Sequence, residues 1–428
     1  MAREMKDSGI AWIGFIPDDW YIQRNKFCFE CSKEIVGEKS TDTQLLSLTT
    51  KGIKEKRPED STGKVPDTYD TYQVVVPNDI VMCLFDLDVS AVFSGISPYY
   101  GMISPAYKVL KCKKERVIPA YVDYWFSYIF DGRKFRHYAK NLRYTLNYDE
   151  FADLPIVLPD TVEQQRIADF LDKECARIDS VIEQTRQSIE EYKKLKQSII
   201  TEAVTKGIRP NRPMKDSGIE WIGEIPEEWM VSRVGLHYII ILGKMLCSVP
   251  PSGDYSLERY FCAANVHFDS VSDVDTLKKM WFSPQEKQLY QVRNGDLLVV
   301  EGGAGAGGSA VVTGLTETAF IQNSIMIVRE KKNDDNRYLR YLLEYLVKQG
   351  YIEVACNKAT IPHFTKDKLA TVPYPVVATD ERVQIADYLD CKCNEIDNLI
   401  ANKEKIITEL ETYKKSLIYE YATGKKEV

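Results

Sequence analysis

A sixteen-residue segment occurs twice in this chain, and that duplication limits the possible folds more than any other feature. Met5 to Trp20 reads Met-Lys-Asp-Ser-Gly-Ile-Ala-Trp-Ile-Gly-Phe-Ile-Pro-Asp-Asp-Trp, and Met214 to Trp229 repeats it, 209 positions later, with twelve of the sixteen residues identical. A second block recurs at an offset of 218: Ile167-Ala-Asp-Phe-Leu-Asp172 returns as Ile385-Ala-Asp-Tyr-Leu-Asp390, and the match runs on without a gap to Ser198 and Ser416. The offsets differ by nine, so the stretches between the blocks differ in length by nine residues. Each half is a frame, an insert and a helix. The frames stayed alike while the inserts diverged.

The helices follow from periodicity. One segment carries apolar residues at Ile167, Leu171, Ile178, Ile182, Ile189, Tyr192, Leu195, Ile199 and Ala203; the other carries Ile385, Leu389, Ile396, Leu399, Ile406, Leu410, Tyr413 and Leu417. The spacing is close to a heptad, the flanking positions are densely charged, and no Gly or Pro intervenes before Gly207 and Gly424. This predicts two helices of about 40 residues, ~60 Å long, paired along a narrow apolar seam.

The inserts alternate strand and helix signals. Val74–Phe85 and Val292–Glu301 read as strand, turn, strand, with Asp79 and Asp296 at matching places. Helical stretches Pro119–Phe130 and Arg337–Gln349 follow, then extended segments Leu154–Pro159 and Val372–Val377. The expected class is α+β, with two α/β domains in tandem repeat (residues 1–160 and 209–378), separated by two long helices (161–208 and 379–428) that form an antiparallel coiled coil.

Net charge is −7, which excludes a uniformly basic nucleic-acid binder. The excess acid is not in the inserts. Trp20–Glu150 holds 19 Lys+Arg against 17 Asp+Glu, and Met230–Val372 holds 16 against 15, so local basic faces are allowed. No apolar run reaches the ~18 residues of a membrane span. Met1–Asp7 lacks the apolar core of a signal peptide, which predicts a cytoplasmic protein. Ten cysteines form no framework, and the lone Cys28-Phe-Glu-Cys31 pair lacks the further ligands of a structural zinc site.

Catalytic signatures are missing. Glu301-Gly-Gly-Ala-Gly-Ala-Gly-Gly-Ser309 lacks the Gly-Lys-Ser/Thr of a phosphate loop and precedes a strand-like Ala310-Val-Val-Thr313. It reads as a tight loop that permits close backbone approach to another molecule. No Asn-Pro-Pro-Tyr methyltransferase motif is present, and His137, His237, His267 and His363 are too scattered for a triad or metal spacing. Two cationic clusters do stand out. Lys51, Lys54, Lys56, Arg57 and Lys64 crowd a polar segment with Thr49 and Thr50; Arg133, Lys134, Arg136, His137, Lys140 and Arg143 interleave with Tyr138 and Tyr144. Cations place phosphates, and Arg, Lys, Asn or Thr beside them read base edges. Short charge clusters are otherwise solvated faces, and composition alone leaves both readings open.

Taken in order, the motifs resemble the specificity subunits of type I restriction–modification systems, over essentially the whole chain. The resemblance is carried by the Gly-Ile-x-Trp-Ile-Gly-x-Ile-Pro-x-x-Trp frames, the Glu163-Gln-Gln-Arg-Ile167 lead-in after Leu158-Pro159, and Glu202-Ala-Val-Thr-Lys-Gly207 closing the first helix. Gly101-Met-Ile-Ser-Pro-Ala-Tyr107 in the first insert is similar to an element of such recognition domains. So are Gly243-Lys-Met-Leu246, Asn265-Val266, Gly295–Gly303 and Thr360-Ile-Pro-His363 in the second. The second lead-in departs from the pattern as Asp380-Glu-Arg-Val-Gln-Ile385, and the second helix closes on Tyr421-Ala-Thr-Gly424.

The resemblance implies two target recognition domains, each reading half of a bipartite site in double-stranded DNA. It implies long helices that dock two methyltransferase subunits, with restriction/translocase subunits joining that assembly, and no membrane. The chain itself would be non-catalytic and bind no cofactor, S-adenosylmethionine being held by the methyltransferase partners. The candidate DNA-binding residues are Thr49, Thr50, Lys51, Lys54, Arg57, Lys64 and Arg143 in the first domain, and Asn265, Glu301, Lys358, Thr360 and His363 in the second. Two alternatives stay open: a specificity chain serving a fused nuclease–methyltransferase, and a coiled-coil scaffold that never touches DNA.

Overall fold

Both frames fold in the same way, and their sequence says why. Met5–Asp7 pairs antiparallel with Phe15–Pro17, and Met214–Asp216 with Glu224–Pro226. Gly9, Gly14, Gly218 and Gly223 all sit at φ of 70–71°, which glycine adopts without strain. The carboxylates of Asp7 and Asp216 accept the Gly9 and Gly218 N–H groups at 2.9 Å. Each frame ends on a buried tryptophan, Trp20 and Trp229. The structure, a computed structural model, describes residues 3–57, 66–139, 143–250, 252–268, 270–332, 335–356 and 362–428. The chain divides into two compact units, Met1–Arg186 with Glu404–Val428, and Gln187–Lys403.

In the first unit a four-stranded antiparallel sheet runs in the order Phe29–Cys31, Lys108–Cys112, Ile80–Met82, Ser94–Ile96. In the second the order is Tyr238–Leu242, Ile325–Glu330, Leu297–Val300, Ser309–Val311. The strands Ile80–Met82 and Leu297–Val300 are buried at every residue, as their unbroken apolar runs require. Asp79 and Asp296 precede them as matched turn residues, accepting the N–H groups of Val76 and Arg293 at 3.0 and 2.7 Å. Burial pushes the Asp79 carboxyl above its ordinary range. Helices Pro119–Asp131 and Arg337–Lys348 pack on the sheets. Tyr21–Arg24 pairs with Pro155–Leu158, and Met230–Arg233 with Pro373–Val376, stitching each frame to the lead-in of its helix. The expected strand–turn–strand at Val292–Glu301 is half right: Leu297–Val300 is a strand, but before it only Gln291 makes an isolated bridge, to Phe320.

The units differ where the sequences do. The first adds a hairpin, Leu46–Thr49 with Gly52–Glu55, and a strand pair, Gln73–Val75 with Gly101–Ile103. The second adds a three-stranded sheet of Lys278–Phe282, Ser256–Phe261 and Phe320–Ile321.

The long helices span Thr161–Lys206 and Thr379–Ala422 and run antiparallel where they meet. In the first unit Asp179 takes Lys414 at 2.6 Å, Arg186 takes Glu411 at 3.0 Å, and the Phe170 and Tyr421 rings lie 4.5 Å apart. In the second, Lys196 takes Asp397 at 2.6 Å and Lys403 lies over the Tyr192 ring. Partner numbers rise on one helix as they fall on the other. The seam is narrower than the heptad pattern implied: Leu195, Leu399, Ile406 and Tyr413 are exposed, and Ile407 rather than Ile406 packs inward. A pair of helices covers only one stripe on each.

Each unit is closed by the end of the helix belonging to the other repeat. Tyr338 donates its hydroxyl to the carbonyl of Val204 at 2.9 Å in the second unit, and Tyr121 donates to that of Ala422 at 3.1 Å in the first. Arg3 binds Asp19 and Glu163 over the face of Trp20; Arg212 binds Glu228 and Glu381 over Trp229. The departure in the second lead-in is thereby accounted for. Glu381 takes Arg212 as Glu163 takes Arg3, although Glu163 also accepts the Trp20 indole N–H at 3.0 Å and the Trp229 indole finds no such partner among the described residues. The buried Gln164, which bonds Ile118, Arg116 and Pro159 backbone groups, is replaced by the buried Arg382. Arg382 is held by Glu330 at 2.7 Å and the Tyr374 hydroxyl at 2.9 Å, its buried Nε alone finding no partner among the described residues.

Candidate nucleic-acid interface

The first unit presents Thr49, Thr50, Lys51 and Lys54 on one hairpin, with Arg57 just beyond it. Leu48 stands opposite Ile53 and Ser47 opposite Lys54. Leu46, Leu48 and Ile53 are buried in a cluster with Val75, Val81, Ile103 and Val109. Alternation therefore turns Lys54 to solvent. At the tip, Thr49 Oγ1 accepts the Lys51 N–H at 3.1 Å and donates to the Gly52 carbonyl at 2.8 Å, while Gly52 takes φ +84°. Thr50, Lys51 and Arg57 are exposed, and Thr49 is half-buried. Lys64 lies outside the described residues.

The second cationic cluster is largely spent inside the protein. Arg133 donates to the Leu87 carbonyl at 2.8 Å, Arg136 binds Asp88 at 2.5 Å, and Arg143 lies 3.7 Å from Asp86. His137 stacks on Trp12. These arginines brace the turn at residues 86–88. Lys140 lies outside the described residues, and among the described arginines of the cluster Arg143, 81% exposed and loosely paired, extends furthest into solvent.

Charge reversal of the hairpin cations tests its role. The variant Lys51→Glu, Lys54→Glu, Arg57→Glu is expected to bind all DNA sequences more weakly. Its log–log salt dependence should be shallower by about one unit for each phosphate that is no longer neutralised. Anisotropy titrations across a salt series measure this, and unchanged affinity and slope would remove the hairpin from the interface.

In the second unit, segments far apart in sequence converge. Glu301 donates its N–H to the Ser324 carbonyl at 2.9 Å, and its own carbonyl accepts the Phe364 N–H at 2.6 Å. Its carboxylate lies 3.4 Å from His363 Nδ1. Ser324 Oγ accepts the Ala263 N–H at 3.0 Å, beside the short turn Ala263–Asn265, where Asn265 Oδ1 accepts the Cys262 N–H at 2.9 Å. Asn323 donates its N–H to the Lys244 carbonyl at 2.8 Å, and Gly243 passes so close to Gln322 that a Cβ there would strike its carbonyl. Three of the recognised motifs, at Gly243–Leu246, Asn265 and Glu301–Gly303, are thus gathered with His363 around Gln322-Asn323-Ser324. Lys358 and Thr360 lie outside the described residues.

Sequence reasoning missed Gln322-Asn323-Ser324. Its signal was available: three polar residues between the apolar strands Phe320–Ile321 and Ile325–Glu330, where a tight connection must hold its own hydrogen bonds. The glycine run, by its sequence, admits another molecule. At Gly302 and Gly307 the close approach is instead to this chain, against His363 and against Ile352 and Val347.

Electrostatics separates working carboxylates from structural ones. Asp296 receives Arg329 through two hydrogen bonds, at 2.6 and 2.7 Å, and is 3% exposed. Glu301 has only the imidazole of His363 beside it among the described ionisable groups. The Cys28 thiol is pushed up to about 11 by burial, and that of Cys31 is raised for the same reason, which suits packing rather than thiolate chemistry. Among the described residues no group of three His, Cys, Asp or Glu side chains is placed to hold a metal, and no helix is long and apolar enough to cross a membrane.

Residues 278–412 match the family model of the type I restriction modification DNA specificity domain. The chain is 25% identical, over 96% of its length and 95% of the other's, to a Methanocaldococcus jannaschii protein whose name assigns it to the type I restriction enzyme MjaX as specificity subunit. It shares its fold with a chain from a solved type I R-M system, at a TM-score of 0.72 and 17% identity, covering 96% of this chain and 99% of that one. It is similar as well to the HsdS subunit of Thermoanaerobacter tengcongensis, at a TM-score of 0.54 and 17% identity, covering 96% and 98%. Frames, fold and matches together make the chain similar to the specificity subunits of type I restriction–modification systems.

Proposed function

We propose that the chain confers sequence specificity without catalysing a reaction: each insert reads one half of a bipartite site in double-stranded DNA, and the helices dock two methyltransferase subunits. The observation that carries the reading is the contrast between matched frames and divergent inserts. A scaffold has no reason to diversify only there. S-adenosylmethionine belongs to the methyltransferase partners, restriction and translocating subunits join the same assembly, and the assembly works in the cytoplasm.

The exposed apolar residues of the helices support a pair of equivalent docking surfaces. Val181 and Leu399 are 41% and 43% exposed and stand 218 positions apart, the offset of the repeat. Leu195 and Tyr413, 48% and 56% exposed, stand at the same offset. The Asp179–Lys414 pair puts Val181 level with Tyr413 in the first unit, and the Lys196–Asp397 pair puts Leu195 level with Leu399 in the second. Uncovered apolar side chains at repeated positions mark places where a partner sits twice.

The test is an exchange of Tyr21–Asp153 for the corresponding insert of a relative, followed by sequencing of the sites methylated by the reconstituted complex. One half of the target changes and the other stays. The purified chain without partners transfers no methyl groups. A folded chimera that keeps both original halves, or methyl transfer by the chain alone, contradicts the proposal.

A further inference from the structure

We propose that the Glu301 carboxylate reads the exocyclic amino group of a cytosine or adenine in the half-site taken by the second unit, with His363 as its positioning residue; this rests on the function proposed above. A carboxylate accepts hydrogen bonds and donates none. Beside DNA phosphates it is repelled unless a donor meets it, and the donors that a base edge offers in the major groove are cytosine N4 and adenine N6. Glu301 is a carboxylate of this unit fitted for that task. Asp296, five residues earlier, is closed off by Arg329. Glu301 keeps acceptor capacity because its ionisable neighbour is an imidazole at 3.4 Å, not a lysine or arginine.

Its backbone is clamped on both sides, by Ser324 through its N–H and by Phe364 through its carbonyl. Gly302 bridges His363, and the Gly303 N–H reaches the Pro362 carbonyl at 3.2 Å. The carboxylate is thus mounted on a fixed support, as discrimination between bases requires. Immediately beyond it, a Cβ built on Gly303 would meet nothing within 4 Å among the described residues, so the backbone beside the carboxylate is not packed against them. His363, 61% exposed against 19% for Glu301, holds the carboxylate from its solvent side.

The complex assembled with its methyltransferase partners is offered a DNA library randomised over both half-sites, and the methylated molecules are sequenced. Glu301→Leu, which removes the acceptor, is expected to cut the preference for one base pair at one position of one half-site by about five- to 150-fold, the range for a good base contact. The other half-site stays as in the wild type. The base no longer preferred at that position tells cytosine from adenine. His363→Asn, which can still donate to the carboxylate, retains the preference, and His363→Leu relaxes it at the same position with the melting temperature unchanged. Wild-type base preferences in Glu301→Leu overturn the inference, as does a relaxation confined to the other half-site. If instead the wild-type complex selects no sequence, it is the underlying function that fails.

Discussion

Replacing Arg382 with leucine is expected to destabilise the second unit by about 3–5 kcal/mol, the usual cost of leaving one member of a buried ion pair without its partner. The guanidinium and the Glu330 carboxylate are each about 6% exposed, and their 2.7 Å contact lies beside the Tyr374 hydroxyl. Removing the cation takes the guanidinium from a buried carboxylate beside Tyr238, Tyr338 and Tyr374, whose rings meet at 5.4–6.0 Å. The first repeat supplies the control, because it solves the same position with Gln164, which needs no counter-charge. The double variant Arg382→Gln, Glu330→Gln should recover most of the loss, since two amides can pair where an amide and a carboxylate cannot both be neutralised. Thermal and urea unfolding of the three proteins decides it. A leucine variant as stable as the wild type would show that water, not Arg382, compensates Glu330.

That position also shows what the sequence could and could not say. The lead-in Asp380-Glu-Arg departs from Glu163-Gln-Gln in letters, and from the letters alone it weakens the repeat. In space Glu381 and Glu163 each take the arginine of their own frame, and the change next door exchanges one way of filling a buried site for another. The local signals were readable because they are local: glycines at turns, the Asp79 and Asp296 turns, and the helices from Thr161 and Thr379 all come from patterns within a few residues. The width of the helix seam was not. Leu195 and Leu399 fit a heptad as well as Ile178 does, and only the packing decides which face is covered. The candidate site divides in the same way. The Lys51–Lys54 hairpin is contiguous and visible, whereas the support under Glu301 comes from residues 244, 263, 324 and 364, which no spacing rule connects. The arginines at 133 and 136 were misleading because a cluster of cations looks the same in sequence whether it faces phosphate or its own loop.

Ending the chain before Ser416 is expected to have the largest effect of all, on the first unit and not the second. Leu417 and Ile418 are about 5–6% exposed within the core that holds Trp20, Tyr121 and Leu171, and Ala422 is fully buried there. Deleting large buried side chains costs about 2–5 kcal/mol each. Two of them, with the Tyr121 bond to Ala422 and the packing of Gly424 against Pro17 and Trp20, reach the ~5–15 kcal/mol that holds a whole domain together. The matching contacts in the second unit, Tyr338 with Val204 and Gly207 beside Trp229, come from the first helix and survive the truncation. Calorimetry should therefore lose one transition and keep the other, and limited proteolysis should digest residues 3–160 while sparing 209–378. Leu417→Ala and Ile418→Ala give graded versions, each lowering the melting temperature of the first unit alone. Read out on DNA, the truncated subunit should lose selectivity in the half-site that the Tyr21–Asp153 exchange alters. Two intact transitions at their wild-type temperatures would mean that the last turns of the second helix lie on the first unit without holding it together.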